Sequence, residues 1–343
     1  MNTPRTPLPL MFGIPDDGMA QIYFQPGKTG PQVSFPGNLN FVGYLDRSRG
    51  PWFQPIYCGP RLTTTVDEVE PGRPLVNAVT EPHRCSVALR TIESVVAKTK
   101  ANCFNHPAAI QGTRRDLVSE RLAGIEGLCM PRTLRLRIDE PAELGEAIAR
   151  AGLAWPLLLR VAGDHGGKDL TKVDRPEDLR AALRELPWGG RPIYVTEFVD
   201  FRGDDGLYRK MRLVVVGRDV FLRHHIPSAD WLVHADSRVP RAELLERELQ
   251  ELEGFDQGLL PVLRDRVLAI ADALGLDYFG IDASLLPDGR LLVFEANATM
   301  NVLHDSNPQE PRWAGVIARI RRALESLLEN PDRWRHASAG TRQ

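Results

Sequence analysis

At 343 residues the chain can hold two or three subdomains with sizeable cores. Its 43 Lys and Arg nearly balance 45 Asp and Glu, and this net charge of −2 argues against a general affinity for nucleic acid or an anionic membrane surface. No apolar run approaches the length of a membrane span, and no charged N-terminus leads into a long apolar stretch, so neither a membrane partner nor a secretory leader is expected.

Residues 1–73 are crowded with proline and glycine. Only short strand-like pieces stand out there, Ala20 to Phe24 and Asn40 to Tyr44, and the segment receives no role. Pro74 to Val79 reads as a strand, Cys85 to Lys98 as a helix and Ala101 to Pro107 as a second strand, a parallel α/β unit over 74–110. A helix over Gln111 to Leu122 carries Arg114, Arg115 and Asp116. A strand from Met130 to Leu136 and an amphipathic helix from Pro141 to Ala151 follow. Trp155 to Arg160 is a strand that runs into Val161 to Lys168, where Gly163, Gly166 and Gly167 let backbone amides approach an anion. Alone this is a weak signal, because the chain has neither G-x-x-x-x-G-K-S/T nor G-x-G-x-x-G spacing.

Pro192 to Asp200 forms a strand that turns acidic at Glu197 and Asp200. Tyr208 to Leu222 reads as a hairpin turning at Gly217, with Arg212 beside Arg209 and Lys210. His224, His225 and His234 come next, at a spacing that fits no standard zinc set. The cysteines (Cys58, Cys85, Cys103, Cys129) form no C-x-x-C pair and read as thiols of a reducing cytoplasm. Helices are expected over Pro240 to Glu253, Val262 to Leu274 and Trp313 to Leu328, and residues 331–343 are expected to be a disordered tail.

The most informative stretch is Gly280 to Asn297. Two apolar, branched runs flank Asp288-Gly289, the strongest short-range signal for a two-residue hairpin loop. With that loop, Asp282 falls opposite Glu295, and Asn297, two residues on, shares their face. Facing carboxylates repel at about 5 Å, and a divalent cation reverses the sign. Asp, Glu and Asn are hard oxygen ligands suited to Mg²⁺, which takes one or two protein carboxylates and leaves its other positions to water and phosphate. Acids pointing into water are the alternative, and the apolar surroundings disfavour it.

With its leading helix and Leu276 to Gly280, this hairpin resembles the C-terminal metal-binding segment of ATP-grasp enzymes, nearest the glutathione synthetase and ribosomal-protein glutamate ligase branch. The resemblance implies that Asp282, Glu295 and Asn297 hold two Mg²⁺ ions on the ATP phosphates. It makes the glycine-rich turn a lid, with Gly166, Gly167 and Lys168 over the triphosphate. Arg160 stands where the superfamily usually carries Lys; a guanidinium also binds phosphate but is not its isostere. The Asn105-x-Pro107 turn resembles the one that precedes a helix with a phosphate-contacting base, here Arg115, with Arg114 as competitor. The backbone at Glu197 and Phe198 would meet adenine, and Asp200 the ribose, unless Asp200 merely starts a turn. Arg212, five residues before Gly217, would face the transferred phosphate, with His224 beside the acyl phosphate or substrate carboxylate, unless His224 only packs.

The resemblance covers about residues 74–328. It implies an α/β (α+β) ATP-grasp fold, with a pre-ATP-grasp unit (74–110), a lid subdomain (111–195) and a C-terminal Mg-ATP and substrate subdomain (196–330). The implied activity is an ATP-dependent carboxylate–amine ligase working through an acyl phosphate. Its partners would be ATP, Mg²⁺, a small-molecule or peptide carboxylate and an amine; the oligomeric state stays open. A kinase- or carboxylase-type enzyme on the same ATP site, or a nucleotide-binding regulator without turnover, are the alternatives. The intact Asp282, Glu295 and Asn297 set argues against the regulator.

Overall fold

A computed structural model describes residues 6–24, 29–39, 41–49, 52–62, 69–163, 169–305 and 310–335. These form three principal sheets and a two-stranded ribbon.

The first sheet is parallel and runs Phe53–Cys58, Leu8–Gly13, Leu75–Asn77, Cys103–Phe104. The segment 1–73, given no role from sequence, therefore supplies half of its strands. Proline disguised one of them: Pro55 lies in an edge strand, where a missing amide costs no ladder bond on the open side. The strand expected over Asn40 to Tyr44 is instead a 3-10 turn, Val42–Tyr44, with Phe41 fully buried beside it and Asn40 outside the described residues. The piece at Ala20 to Phe24 forms Gln21–Tyr23, paired with Gln32–Ser34 as an exposed ribbon. Helix Ser86–Thr99 covers the sheet with Ala88, Leu89, Ile92 and Val95, and ends on Lys100 in the left-handed region. The expected helix from Gln111 to Leu122 is two, Pro107–Gln111 and Arg115–Leu122, with Arg114 extended between them.

The second sheet is antiparallel, in the order Thr171–Val173, Leu157–Val161, Ile193–Glu197, Thr133–Leu136. Helices Pro141–Ala151 and Leu179–Glu185 pack on it, and Leu144, Ile148, Leu157, Leu159 and Val195 belong to a core of its own. The third sheet runs Asp219–Ser228, Tyr208–Val216, Tyr278–Leu285, Leu291–Asn297, Leu128–Cys129. Only its last pair is parallel. Helices Ala242–Glu253, Leu259–Leu274 and Pro311–Leu328 belong to this part of the chain.

One continuous core joins the first and third sheets, so Met11, Phe104, Ile270, Tyr278 and Ile320 belong to the same cluster. A buried polar knot pins the junction. Asn105, at φ 49, receives the amides of Asp277 and Tyr278 on its side-chain oxygen and donates to the Tyr278 carbonyl. The Asp277 carboxylate accepts the amides of Asn105 (2.7 Å) and Arg335 (2.6 Å). The tail expected to be disordered from residue 331 is ordered as far as Arg335. A 3-10 turn spans Pro331–Arg333, and Trp334 is buried with its indole N–H donating to Leu327 O; residues 336–343 lie outside the described residues. Among the described residues no helix is long and apolar enough to cross a membrane.

Candidate active site

The hairpin turns differently from the expected two-residue loop. Leu285 pairs with Leu291, and Leu286 N donates to Arg290 O, so the loop is Pro287-Asp288-Gly289 with Gly289 at φ 83. A three-residue loop shifts the register by one, and a bulge at Phe294 shifts it back. Asp282 therefore does face Glu295, and Asn297 Nδ2 donates to Glu295 Oε1 (2.7 Å) from the same face.

Register places His224, Arg212, Asp282 and Glu295 in one row across four neighbouring strands. A second irregularity follows Arg212, so both interruptions of the ladder adjoin the row. Arg212 Nε and Nη2 donate to Asp282 Oδ1 (2.7 Å) and Oδ2 (2.8 Å), a bidentate pair. Lys210 Nζ stands 3.6 Å from Asp282 Oδ2. Burial alone would raise the pKa of Asp282, but Arg212, then Lys210 and His224, hold its carboxyl well below the usual range. Arg115, the first residue of its helix, brings Nη2 to 2.5 Å from Glu295 Oε1 and donates Nη1 to Phe294 O. Arg114 turns away to clamp Asp116. Of the two adjacent arginines, Arg115 is the one at the hairpin.

Arg212, Asp282 and Glu295 of this row floor a cavity of about 240 Å³ between the second and third sheets. Arg160 and Tyr194 enter from the opposite wall, as register partners on adjacent lid strands. Arg160 is buried. Phe198 lines the far end beside Trp231, their rings edge to face at 5.7 Å, with Phe201 and Phe294 completing an apolar end fit for a flat base. The Phe198 amide is committed to Pro156 O (2.8 Å), and the Glu197 carboxylate accepts the Ala154 amide (2.9 Å). The Glu197 amide is likewise committed to Arg132 O (3.0 Å), so both backbone donors expected at adenine are already engaged.

Other expected residues are not brought together. Asp200 is exposed outside the cavity walls, where it accepts the Arg202 amide, so the turn-starting role is the one observed. His224 stands behind Arg212 and outside the cavity walls; burial first, then Arg212, pushes its pKa well down, and its Nε2 is buried with no hydrogen-bond partner among the described residues. Its place is against Arg212. Gly166, Gly167 and Lys168 lie outside the described residues. Sequence reasoning missed Lys210 as a site residue, although its spacing of two from Arg212 on a strand sets both on one face. It also missed Tyr194 and His83, which no local pattern marks.

Asp282, Glu295 and Asn297 offer the donor chemistry of Mg²⁺, two carboxylates and an amide oxygen beside a cleft. Among the described residues no group of three or more His, Cys, Asp or Glu side chains gathers closely enough to hold a metal. Arg212 and Lys210 supply the countercharge to Asp282, and Arg115 supplies it to Glu295.

No protein-family profile and no curated protein sequence matches the chain. Solved structures do. VanG D-Ala:D-Ser ligase from Enterococcus faecalis is 11% identical, with 94% of this chain and 98% of that chain covered at a TM-score of 0.53. D-alanine–D-alanine ligase from Bacillus anthracis is 13% identical, with 96% and 99% covered at 0.52. Carboxyaminoimidazole ribonucleotide synthase from Aspergillus clavatus, complexed with ATP, is 20% identical at a TM-score of 0.41, and this chain covers 65% of itself but only 53% of that enzyme's length. The end-to-end likeness to the first two structures shows that the chain has the ATP-grasp fold.

Proposed function

We propose that the protein is an ATP-dependent carboxylate–amine ligase that forms an amide or peptide bond through an acyl phosphate. The observation that carries this reading is the convergence of Arg212, Lys210, Asp282, Glu295 and Arg115, from three segments, on the floor of a cleft with an apolar far end, with Asn297 hydrogen-bonded to Glu295 beside it. Within such ligases the glutathione synthetase and ribosomal-protein glutamate ligase branch rests on the sequence motifs alone.

ATP would lie with its base at Phe198, Trp231 and Phe294 and its phosphates toward Arg160, Arg115 and Lys210. A substrate carboxylate oxygen attacks the γ-phosphorus, the new O–P bond forms, and ADP leaves with the bond pair. An amine then attacks the acyl carbon, and inorganic phosphate departs. Little covalent work falls to the protein, which positions the reactants and supplies positive charge where negative charge concentrates. Mg²⁺, two ions by family resemblance, would be held by Asp282, Glu295 and Asn297 and would neutralise the phosphate oxygens. Arg212 orients Asp282, and His224 backs Arg212.

The test is ADP release with Mg²⁺ and a panel of carboxylates in hydroxylamine, which traps an acyl phosphate as its hydroxamate. Hydroxamate coupled to ADP is expected. ADP with a stable phosphorylated product, or bicarbonate-dependent ADP release, would select the kinase- or carboxylase-type alternative. Nucleotide binding without ADP release would select the regulator.

A further inference from the structure

The two acids of the floor are held by their arginines in different ways. Arg212 places two nitrogens on the two oxygens of Asp282, whose residue is 5% exposed. Arg115 places one nitrogen on one oxygen of Glu295, Nη2 on Oε1 at 2.5 Å, and these two side chains are 21% and 23% exposed. Solvent screens a pair of the second kind, so it yields before a buried bidentate one.

Glu295 Oε1 also accepts Asn297 Nδ2 (2.7 Å), and Asn297 Oδ1 accepts the Thr299 amide (2.9 Å). A cation that takes Oε1 as its ligand therefore competes with two nitrogens. Asn297 can meet the same cation by turning its amide, because it carries an acceptor oxygen beside its donor nitrogen. A guanidinium carries donors only, so Arg115 must leave. It has a place to go. Arg115 starts its helix and lines the nucleotide cleft, and its other contact, Nη1 to Phe294 O, is 3.2 Å long. Its planar set of N–H donors suits a phosphate as well as a carboxylate.

We propose that Arg115 and a divalent cation compete for Glu295, and that the displaced Arg115 becomes a ligand of the nucleotide phosphates. Metal and nucleotide then bind as a coupled pair, each raising the affinity of the other by the same factor. This rests on the ATP-site part of the ligase reading.

Two binding experiments decide it. The first titrates Mn²⁺ alone, which takes the same oxygen ligands as Mg²⁺, into the protein without nucleotide, with free ion read by EPR. Arg115→Met should tighten Mn²⁺ binding about tenfold, the effect of one charged hydrogen bond removed from the competing partner. Arg114→Met removes a neighbouring charge already clamped to Asp116 and should leave the affinity within about twofold. No tightening, or equal tightening by both variants, overturns the inference. Adding Glu295→Gln to Arg115→Met should abolish the gain, and a gain that survives overturns it as well. Arg115→Gln replaces Arg115→Met throughout should the latter not fold.

The second experiment measures ADP affinity by calorimetry with Mg²⁺ and with EDTA. Arg115→Met should weaken ADP about tenfold with Mg²⁺ and only about twofold in EDTA, where Arg115 stays on Glu295. Equal loss in both would make Arg115 a fixed phosphate ligand, overturning the exchange and leaving the ligase reading standing. Failure of the wild-type protein to bind ADP under either condition overturns both.

Discussion

The second and third sheets face each other across one cleft, yet they are held in different ways. The third sheet shares its core with the first, and a buried polar knot at Asn105 and Asp277 ties the two together. The second sheet carries a separate core around Leu144 and Leu157 and meets the rest where Thr133 N donates to Ser119 Oγ and at the Tyr194–His83 hydrogen bond. Charge follows the same division. On the third sheet the acids and bases are locked to one another in a row; on the lid wall, Arg160 and Tyr194 reach into the cleft from strands of a unit that packs by itself.

The largest effect should come from the floor. Glu295→Gln keeps the shape but removes the charge, and ADP-forming turnover should fall about a thousandfold with little change in melting temperature. Wild-type turnover in that variant would remove the hairpin from the chemistry.

Next is the locked pair. The sequence alone suggests that removing Asp282 relieves repulsion with Glu295, but Arg212 and Lys210 reverse that expectation. Arg212→Met strands a buried carboxylate and should cost about 3–5 kcal/mol in urea unfolding. Arg212→Met combined with Asp282→Leu should recover most of it, and a double variant no better than the single one would show that the row is not a coupled pair.

The two cores can be separated by hydrogen exchange. Leu144→Ala should cost about 2–5 kcal/mol, felt in residues 133–197, whereas Ile270→Ala should loosen the first and third sheets together. Uniform loss of protection from Leu144→Ala would mean that the lid does not pack independently.

The smallest effect is one of pH on the knot. Burial raises the Asp277 pKa to about 6, against the hydrogen bonds from the Arg335 and Asn105 amides that lower it. The native state then holds a proton that the unfolded chain has already released. Its stabilising contribution is full below the unfolded carboxyl pKa and is lost as pH rises through about 6, by about 3 kcal/mol in all. The stability difference between wild type and Asp277→Asn should therefore shift with pH in that window, and a flat difference would mean that the carboxyl is already ionised.

Long, strongly periodic elements were legible without coordinates. Helix Pro141–Ala151 appears with the expected bounds, and Tyr208–Val216 and Leu291–Asn297 stand within or close to the runs read as strands. Half of the first sheet was legible, since Leu75–Asn77, helix Ser86–Thr99 and Cys103–Phe104 stand in the parallel unit read over 74–110; the half from residues 1–73 was not, because short parallel strands such as Leu8–Gly13 are largely buried and show no alternation. At the site, the acidic trio could be read because Asp282, Glu295 and Asn297 lie on one local hairpin. Asp200 and His224 could not be placed, since each depends on how a loop or a neighbouring strand is seated.

The sequence by itself determined the chemistry of the floor: which acids and which amide share a face, and that basic side chains accompany them. Even there the right pairing came through the wrong turn, because the bulge at Phe294 offsets a loop one residue longer than Asp288-Gly289 predicts. Only the tertiary structure decided which cation meets which acid. That choice depends on the register of the Tyr208–Val216 strand against the hairpin and on the helix that starts at Arg115, and so on contacts between residues far apart in the chain. Local propensity carries no information about such contacts, which form only when the cores of separate segments pack.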